Sequence, residues 1–287
     1  MRRRKRAALH VAMFWAGVLA VIAAGCGKKV NKGNSYSEKE QLFTSSYETG
    51  DLYNYYEPRY YVRDGEKMTY TDDENYEYRL GIDVSEHNGT EIDWKKVRDD
   101  GYEFVFIRLG YRGYSEEGAL KEDPNFEANY KGARDAGLDV GVYFFSQAVN
   151  AGEAAEEAEY VLKKLEGREL QMPVTYDLES IENDTARADE VSSEQHTENI
   201  KAFSMKIIEG GYDVMLYTNL MWETFKLHMR ELYDLPVWFS GYADTPQTTY
   251  DFSIWQYSNT GTVDGISGNV DLNIEMIPKK KNEGTAG

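Results

Sequence analysis

Cysteine is almost absent. The 287 residues contain one, Cys26, so no intramolecular disulfide can form and the fold must be held by its core. Histidine is equally sparse. His10, His87, His196 and His228 are scattered, with no His-Glu-x-x-His and no close ligand cluster. There is no Gly-x-Ser-x-Gly elbow, and Ser85 near His87 is a weak hint of nucleophilic catalysis. Gly110-Tyr111-Arg112-Gly113-Tyr114 bears glycine but lacks the spacing of a phosphate loop.

Positive charge is scarce outside the N-terminus. Lys and Arg number 32 against 50 Asp and Glu, a formal charge of −18. Five of those cations, Arg2, Arg3, Arg4, Lys5 and Arg6, sit in one basic run, and removing them takes −18 to −23. No basic stripe is left to neutralise phosphates, so nucleic acid is excluded as an expected partner.

The basic run is followed by residues 7–24, which contain no Asp, Glu, Lys or Arg. This is the layout of a secretory signal over residues 1–25. It ends in Ile22-Ala23-Ala24-Gly25-Cys26, small residues before a lone cysteine, as in a bacterial lipobox where the thiol carries lipid. Ala23 stands where Leu is commoner. The expectation is an exported lipoprotein anchored at Cys26 to the cell membrane, with an uncleaved membrane anchor as the alternative. Either places the remaining chain outside the cytoplasm.

Residues 26–78 are polar, rich in Tyr, Lys, Glu and Asn, without sustained apolar periodicity. Such a segment is expected to be a spacer, whose tyrosines, among them Tyr53, Tyr55, Tyr56, Tyr60 and Tyr61, could dock on the domain or bind glycan. Residues 79–278 suffice for one sizeable domain, followed by a polar tail, 279–287.

Within that domain a unit recurs. Gly101, Gly137 and Gly211, 36 and then 74 residues apart, each end a helix. Each then passes through an acidic residue into an apolar run: Phe104-Val105-Phe106-Ile107, Val140-Gly141-Val142-Tyr143 and Val214-Met215-Leu216-Tyr217. Between them lie helices: one capped by Asp93, one by Asp123 with Pro124, one through Ala154, Ala158, Val161 and Leu165, and one capped by Ser192. A shorter helix is expected near residues 220–229. Beyond Leu235, runs beginning at Val237, Ile254 and Val270 are too closely spaced for crossover helices. The fold class expected is α/β: an irregular TIM-like barrel of about five βα units followed by three strands.

Chemistry is expected at Pro173-Val174-Thr175-Tyr176-Asp177-Leu178-Glu179. Residues two apart on a strand share a face, so Asp177 and Glu179 project together, about 6.5–7 Å apart at Cα. Carboxylates so close cannot both ionise normally, and one becomes acid-competent, as cleavage of a glycosidic bond requires. Other expected strand ends add Asp83, Tyr143, Tyr217, Trp238, Trp255, Gln256 and Asp271. Aromatic faces stack on sugar rings, and carboxylates and amides bond hydroxyl and acetamido groups; core filling is the competing reading of Tyr143, Tyr217 and Trp238.

Taken in order, these residues resemble the glycoside hydrolase family 25 lysozymes. The resemblance is carried by Gly81-Ile82-Asp83-Val84-Ser85 with Asn88-Gly89, Phe106-Ile107-Arg108, Gly141-Val142-Tyr143-Phe144-Phe145 and Asp177-Leu178-Glu179. Tyr217-Thr218-Asn219, Trp238, Trp255-Gln256-Tyr257 and Val270-Asp271-Leu272-Asn273 complete it. Phe144 departs from the family, many members having His there. The resemblance implies an N-acetylmuramidase that cuts peptidoglycan at the β-1,4 bond between N-acetylmuramic acid and N-acetylglucosamine. It implies Glu179 as general acid, and Asp177 orienting the 2-acetamido group or a water. Asp83 and Asp271 would hold the site's charge and bond the sugar, and Tyr143, Tyr217, Trp238, Trp255 and Gln256 would line the groove. No metal or organic cofactor is implied, and a monomer is expected. Two alternatives stay open: a glycan-binding or scaffold lipoprotein on a decayed barrel, and the same machinery aimed at chitin-like polymers.

Overall fold

The computed structural model describes residues 52–181 and 185–280. The expected signal 1–25, the lipidation site Cys26, the first part of the spacer and the tail from residue 281 lie outside the described residues.

Eight strands close into a barrel. In spatial order they are β3 (Tyr76–Val84), β4 (Phe104–Arg112), β6 (Asp139–Phe145), β7 (Val174–Asp177), β8 (Val214–Asn219), β9 (Val237–Ser240), β10 (Ile254–Gly261) and β11 (Val270–Pro278). The pairings from β3 round to β10 are parallel. β11 runs antiparallel to both β10 and β3 and completes the closure. A short strand, β5 (Leu120–Glu122), is appended to the end of β4.

Helices follow the first five barrel strands: α1 (Trp94–Asp99), α2 (Phe126–Asp135), α3 (Ala151–Leu165), α4 (Ser193–Glu209) and α5 (Leu220–Phe225). The expected five βα units and three final strands are therefore present. Asp93 caps α1 by accepting from Lys96 N, and Ser192 caps α4 by accepting from Gln195 N. Asp123 does not cap α2. Asn125 occupies that position, and Asp123 instead accepts from Glu86 N, Asn125 N and Arg108 Nε. A carboxylate beside a buried guanidinium is better satisfied there than at an open helix end.

The period of two along each strand divides the core into an inner and an outer layer. Val105, Ile107, Val142, Tyr176, Leu216, Phe239, Trp255, Leu272 and Ile274 belong to the outer core, most of it under the helices. Phe104, Phe106, Met172, Met215, Tyr217, Trp238 and Ile254, with Tyr143, form a separate cluster filling the barrel. Glycine makes that filling possible at two positions. A Cβ on Gly81 would lie 2.3 Å from the Phe104 ring, and one on Gly141 would lie 2.6 Å from the Phe106 ring. At the opposite end of the barrel Arg79 pairs with Glu275 and Asp139.

Residues 52–78, expected as spacer, are folded against the barrel. β1 (Tyr61–Asp64) and β2 (Lys67–Tyr70) form a hairpin whose Tyr61, Met68 and Tyr70 are buried. Tyr61 meets Trp255 edge-on at 5.2 Å, and Tyr56 packs 4.8 Å from Phe252. Burial here is carried by tyrosines, whose hydroxyls find partners. Tyr56 donates to Phe252 O at 2.7 Å, and Tyr70 donates to Asp73 at 2.7 Å. The segment covers part of the barrel wall that has no helix of its own.

Candidate active site

The parallel strands end at one rim of the barrel, and β11, being antiparallel, begins there. Asp83 near the end of β3 is consequently the direct register partner of Asp271 near the start of β11. Asp177 ends β7, and Glu179 lies just beyond it, half-buried. The expected carboxylates thus converge from three strands.

Asp83 is the hub of a hydrogen-bonded ring. Its Oδ2 accepts from Gln256 Nε2 at 2.9 Å and from Asn273 Nδ2 at 2.8 Å. Each amide is itself held in orientation. Gln256 Oε1 accepts from Tyr217 at 3.0 Å, Tyr242 at 2.8 Å and Ser240 at 3.1 Å, while Asn273 Oδ1 accepts from Trp238 Nε1 at 2.8 Å. Both amides must therefore present their NH2 groups to Asp83.

Burial raises Asp83, Asp177 and Asp271, because the charged form loses solvent. Asp83 is pushed up to about 6 by desolvation, opposed by the hydrogen bonds from Asn273, Gln256 and Asp271. Asp271 is pushed up to about 9, by desolvation first and then by the charge of Asp83, the hydrogen bond to it and the charge of Glu179. Asp271 is thus the member of the pair that holds a proton more readily, and a hydrogen bond joins it to Asp83. Asp177 also lies well above the ordinary carboxylate range, through desolvation and then the charges of Glu179 and Asp83, with Arg108 opposing. One of its oxygens, Oδ1, is buried without a hydrogen-bond partner in the protein.

An open cavity of about 700 Å³ adjoins this group. Glu179, Ile181, Tyr217, Trp222, Tyr242 and Asn259 are among its walls, and Asp83, Asp177 and Asp271 are not. Glu179 is the acid on its wall, while Asp83 and Asp177 are buried and Asp271 is half-buried beside Asp83.

The aromatic expectations divide. Tyr217 lines the cavity, and Tyr143 is half-buried at the rim, with Trp238 beside it at 6.2 Å. Trp238 is not a groove wall. It is 1% exposed, stacked on Phe106 at 4.5 Å, and serves as filler and donor to Asn273. Gln256, 3% exposed, orients Asp83 instead of reaching the open groove. Trp255 does not face the site. It alternates with inward Ile254 and Gln256, so it points out of the barrel, where Nε1 donates to Gly241 O at 2.7 Å.

Three participants were not assigned roles from sequence. Asn273 was legible as the inward residue two after Asp271. Arg108, paired with Glu86 at 2.7 Å and Asp123 at 2.8 Å, was legible as the inward residue two after Phe106. Tyr242 lies in a loop where no periodicity applies. Among the described residues no group of three or more His, Cys, Asp or Glu is placed to hold a metal ion.

Comparison with known proteins places these features in a family. The glycosyl hydrolases family 25 pattern matches residues 82–266. The autolytic lysozyme of Clostridium acetobutylicum is 30% identical over 193 residues, covering 67% of this chain and 54% of that protein. Lysozyme M1 of Streptomyces globisporus is 29% identical over 203 residues, covering 67% and 66%. Among solved structures, the modular autolysin LytC from Streptococcus pneumoniae superposes with a TM-score of 0.63 at 26% identity, over 75% of this chain and 51% of that one. LytC has also been solved in complex with a synthetic peptidoglycan ligand. A bacterial lysozyme from Streptomyces coelicolor gives a TM-score of 0.57 at 26% identity, covering 68% and 90%. The chain spans about half the length of the Clostridium lysozyme and of LytC.

Proposed function

The chain belongs to glycosyl hydrolase family 25, and from that premise we propose that it is a muramidase. It hydrolyses the β-1,4 bond between N-acetylmuramic acid and N-acetylglucosamine in peptidoglycan. The observation that carries this reading is the position of Glu179 at the cavity wall beside buried Asp177. An acid that protonates the leaving glycosidic oxygen must reach the substrate, and of the four carboxylates only Glu179 borders the cavity. Asp177 has an acceptor oxygen without a protein partner, suited to the N–H of the 2-acetamido group or to a water. Asp83, held by two amides and the proton of Asp271, supplies a fixed negative charge near the oxocarbenium-like centre. The lysozyme and autolysin relatives support the same reading.

Replacing Glu179 by Gln keeps size and polarity but removes the transferable proton. Release of reducing ends from peptidoglycan is expected to fall by about 10³-fold or more, with folding and glycan binding retained. Full activity in that variant would overturn the assignment. Mass spectrometry of the wild-type digest, showing N-acetylmuramic acid at each new reducing end, distinguishes this specificity from cleavage on the other side of that sugar.

The basic run, the uncharged segment and Cys26 support export and lipid anchoring at the cell membrane. The barrel would then work as a tethered monomer on nearby wall. Labelling with a fatty acid should mark the wild-type protein and not a Cys26→Ser variant, and an unlabelled wild-type protein in the membrane fraction would argue for the uncleaved anchor.

A further inference from the structure

The cavity wall contains a loop that lacks support of its own. Residues 241–253 join β9 to β10 without a helix or an internal ladder, yet Gly241 and Tyr242 line the cavity. Long irregular segments carry a large ordering cost, so something must hold this one. At one end Tyr242 donates to Gln256 at 2.8 Å. Further along, Thr248 Oγ1 donates to Glu223 on α5 at 2.6 Å, next to Trp222 of the same cavity.

The third attachment comes from outside the family match, which begins at residue 82. Asn54 N donates to Thr249 O at 3.1 Å, and its side-chain amide donates to Thr248 O at 3.1 Å and Tyr250 O at 2.8 Å. Asp251 N donates to Leu52 O at 3.2 Å, and Tyr53 stacks on Tyr250 at 6.0 Å. Tyr56 donates to Phe252 O. Residues 52–56 therefore lie along the loop as a strap, with Asn54 at its centre. A short side chain offering two N–H donors to carbonyls two residues apart is what this position requires, and Asn provides it.

We propose that Asn54 is a positioning residue of the active site. Through the strap it fixes loop 241–253 as a wall of the substrate cleft, which keeps Tyr242 on Gln256 and Thr248 on Glu223. The tyrosine-rich extension thereby becomes part of the machinery that holds glycan, and this step rests on the proposed muramidase activity. Tyr217 and Ser240 still hold Gln256 on Asp83 when Tyr242 moves, so the strap acts on binding and not on bond cleavage.

Asn54→Asp is nearly isosteric but sets a carboxylate against two carbonyl oxygens, and Asn54→Ala removes the donors without that repulsion. In the full chain, both should raise KM for peptidoglycan, the Asp variant by about five- to tenfold, the range expected for losing one or two hydrogen bonds, with kcat within about twofold. Hydrogen exchange should accelerate in the amides of 243–252 and stay unchanged in β4, β6 and β7. Unchanged loop exchange would overturn the proposal, as would accelerated exchange with unchanged KM. A kcat loss that merely follows the unfolded fraction, with KM unchanged, would make Asn54 purely structural and also overturn it. A wild-type protein that does not cleave peptidoglycan would instead remove the muramidase reading, while the exchange result still reports whether the strap holds the loop.

Discussion

Asp83 and Asp271 face each other as register partners across the antiparallel β3–β11 ladder, and a hydrogen bond joins their carboxyl groups. Had β11 run parallel to its neighbours, its first residues would lie at the far end of the barrel. The reversal of this last strand is what brings a fourth carboxyl group to the rim, opposite the most heavily hydrogen-bonded acid of the site. Each of the pair alters the other: Asp83 raises the pKa of Asp271, and the proton retained on Asp271 stabilises the charge on Asp83.

The pair makes stability depend on pH in a defined direction. Folding raises Asp271 from 3.8 to about 9, so the folded protein holds a proton the unfolded chain releases. Stability from this group is greatest below pH 4 and declines as pH rises towards about 9. Asp271→Asn keeps a donor to Asp83 and has no proton to lose. Its melting temperature should match the wild type near pH 4 and exceed it by several degrees at pH 9, a gain of roughly 2 kcal/mol or more. Thermal unfolding of both proteins from pH 4 to 9 measures this, and parallel curves would show that Asp271 does not titrate as described.

The outward direction of Trp255 predicts a separation of stability from activity. Its indole lies fully buried between the barrel wall and Tyr61 of the hairpin and is not itself part of the cavity lining, although Nε1 holds Gly241 O of that lining at 2.7 Å. Trp255→Ala should cost about 3–5 kcal/mol through lost burial and a residual cavity. The kcat of the folded fraction should stay within about twofold, the loss of the bond to Gly241 falling on KM. A tenfold fall in kcat/KM with an unaltered melting temperature would place this ring in the substrate groove after all.

Trp255 also shows where the sequence was legible and where it was not. The helix-ending glycines and the β-branched or aromatic runs after them carry local signals strong enough to reveal five βα units. The carboxylates Asp83, Asp177, Glu179 and Asp271 were legible because unpaired acids at strand ends cost free energy unless they are used. Adjacent Trp255 and Gln256 cannot both face the barrel interior, and period two alone would have excluded one of them. The direction of β11 was hidden because the sequence does not show that β10 runs on to Gly261; once it does, residues 262–269 are too few for a crossover and β11 must return antiparallel. Burial in residues 52–78 was hidden because tyrosine serves as both surface and core, and its fate depends on partners such as Phe252 O that lie about 200 residues away. The strap on loop 241–253 was hidden for the same reason.

Behind the strand that carries Asp177 lies a buried ion pair whose removal should be pH-dependent. Ser146 N donates to Asp177 O at 2.8 Å, and Ser146 Oγ donates to Glu157 at 2.7 Å. Glu157 is fully buried and also accepts from Arg112 Nε at 2.7 Å. Burial pushes Glu157 up to about 7, against the opposing pull of Ser146 and Arg112. Arg112→Ala takes away the cation and leaves the carboxylate behind, which costs about 3–5 kcal/mol where Glu157 is ionised. Without Arg112 its pKa rises further, and protonation then relieves part of the penalty. The deficit relative to wild type should therefore be smallest near pH 4.5 and grow towards pH 8, the direction set by an acid whose folded pKa is raised. Adding Glu157→Gln to Arg112→Ala should flatten that dependence. Unfolding curves across this range decide the matter: a deficit of Arg112→Ala that is constant with pH would mean that lost packing, and not the stranded charge, destabilises the strand carrying Asp177.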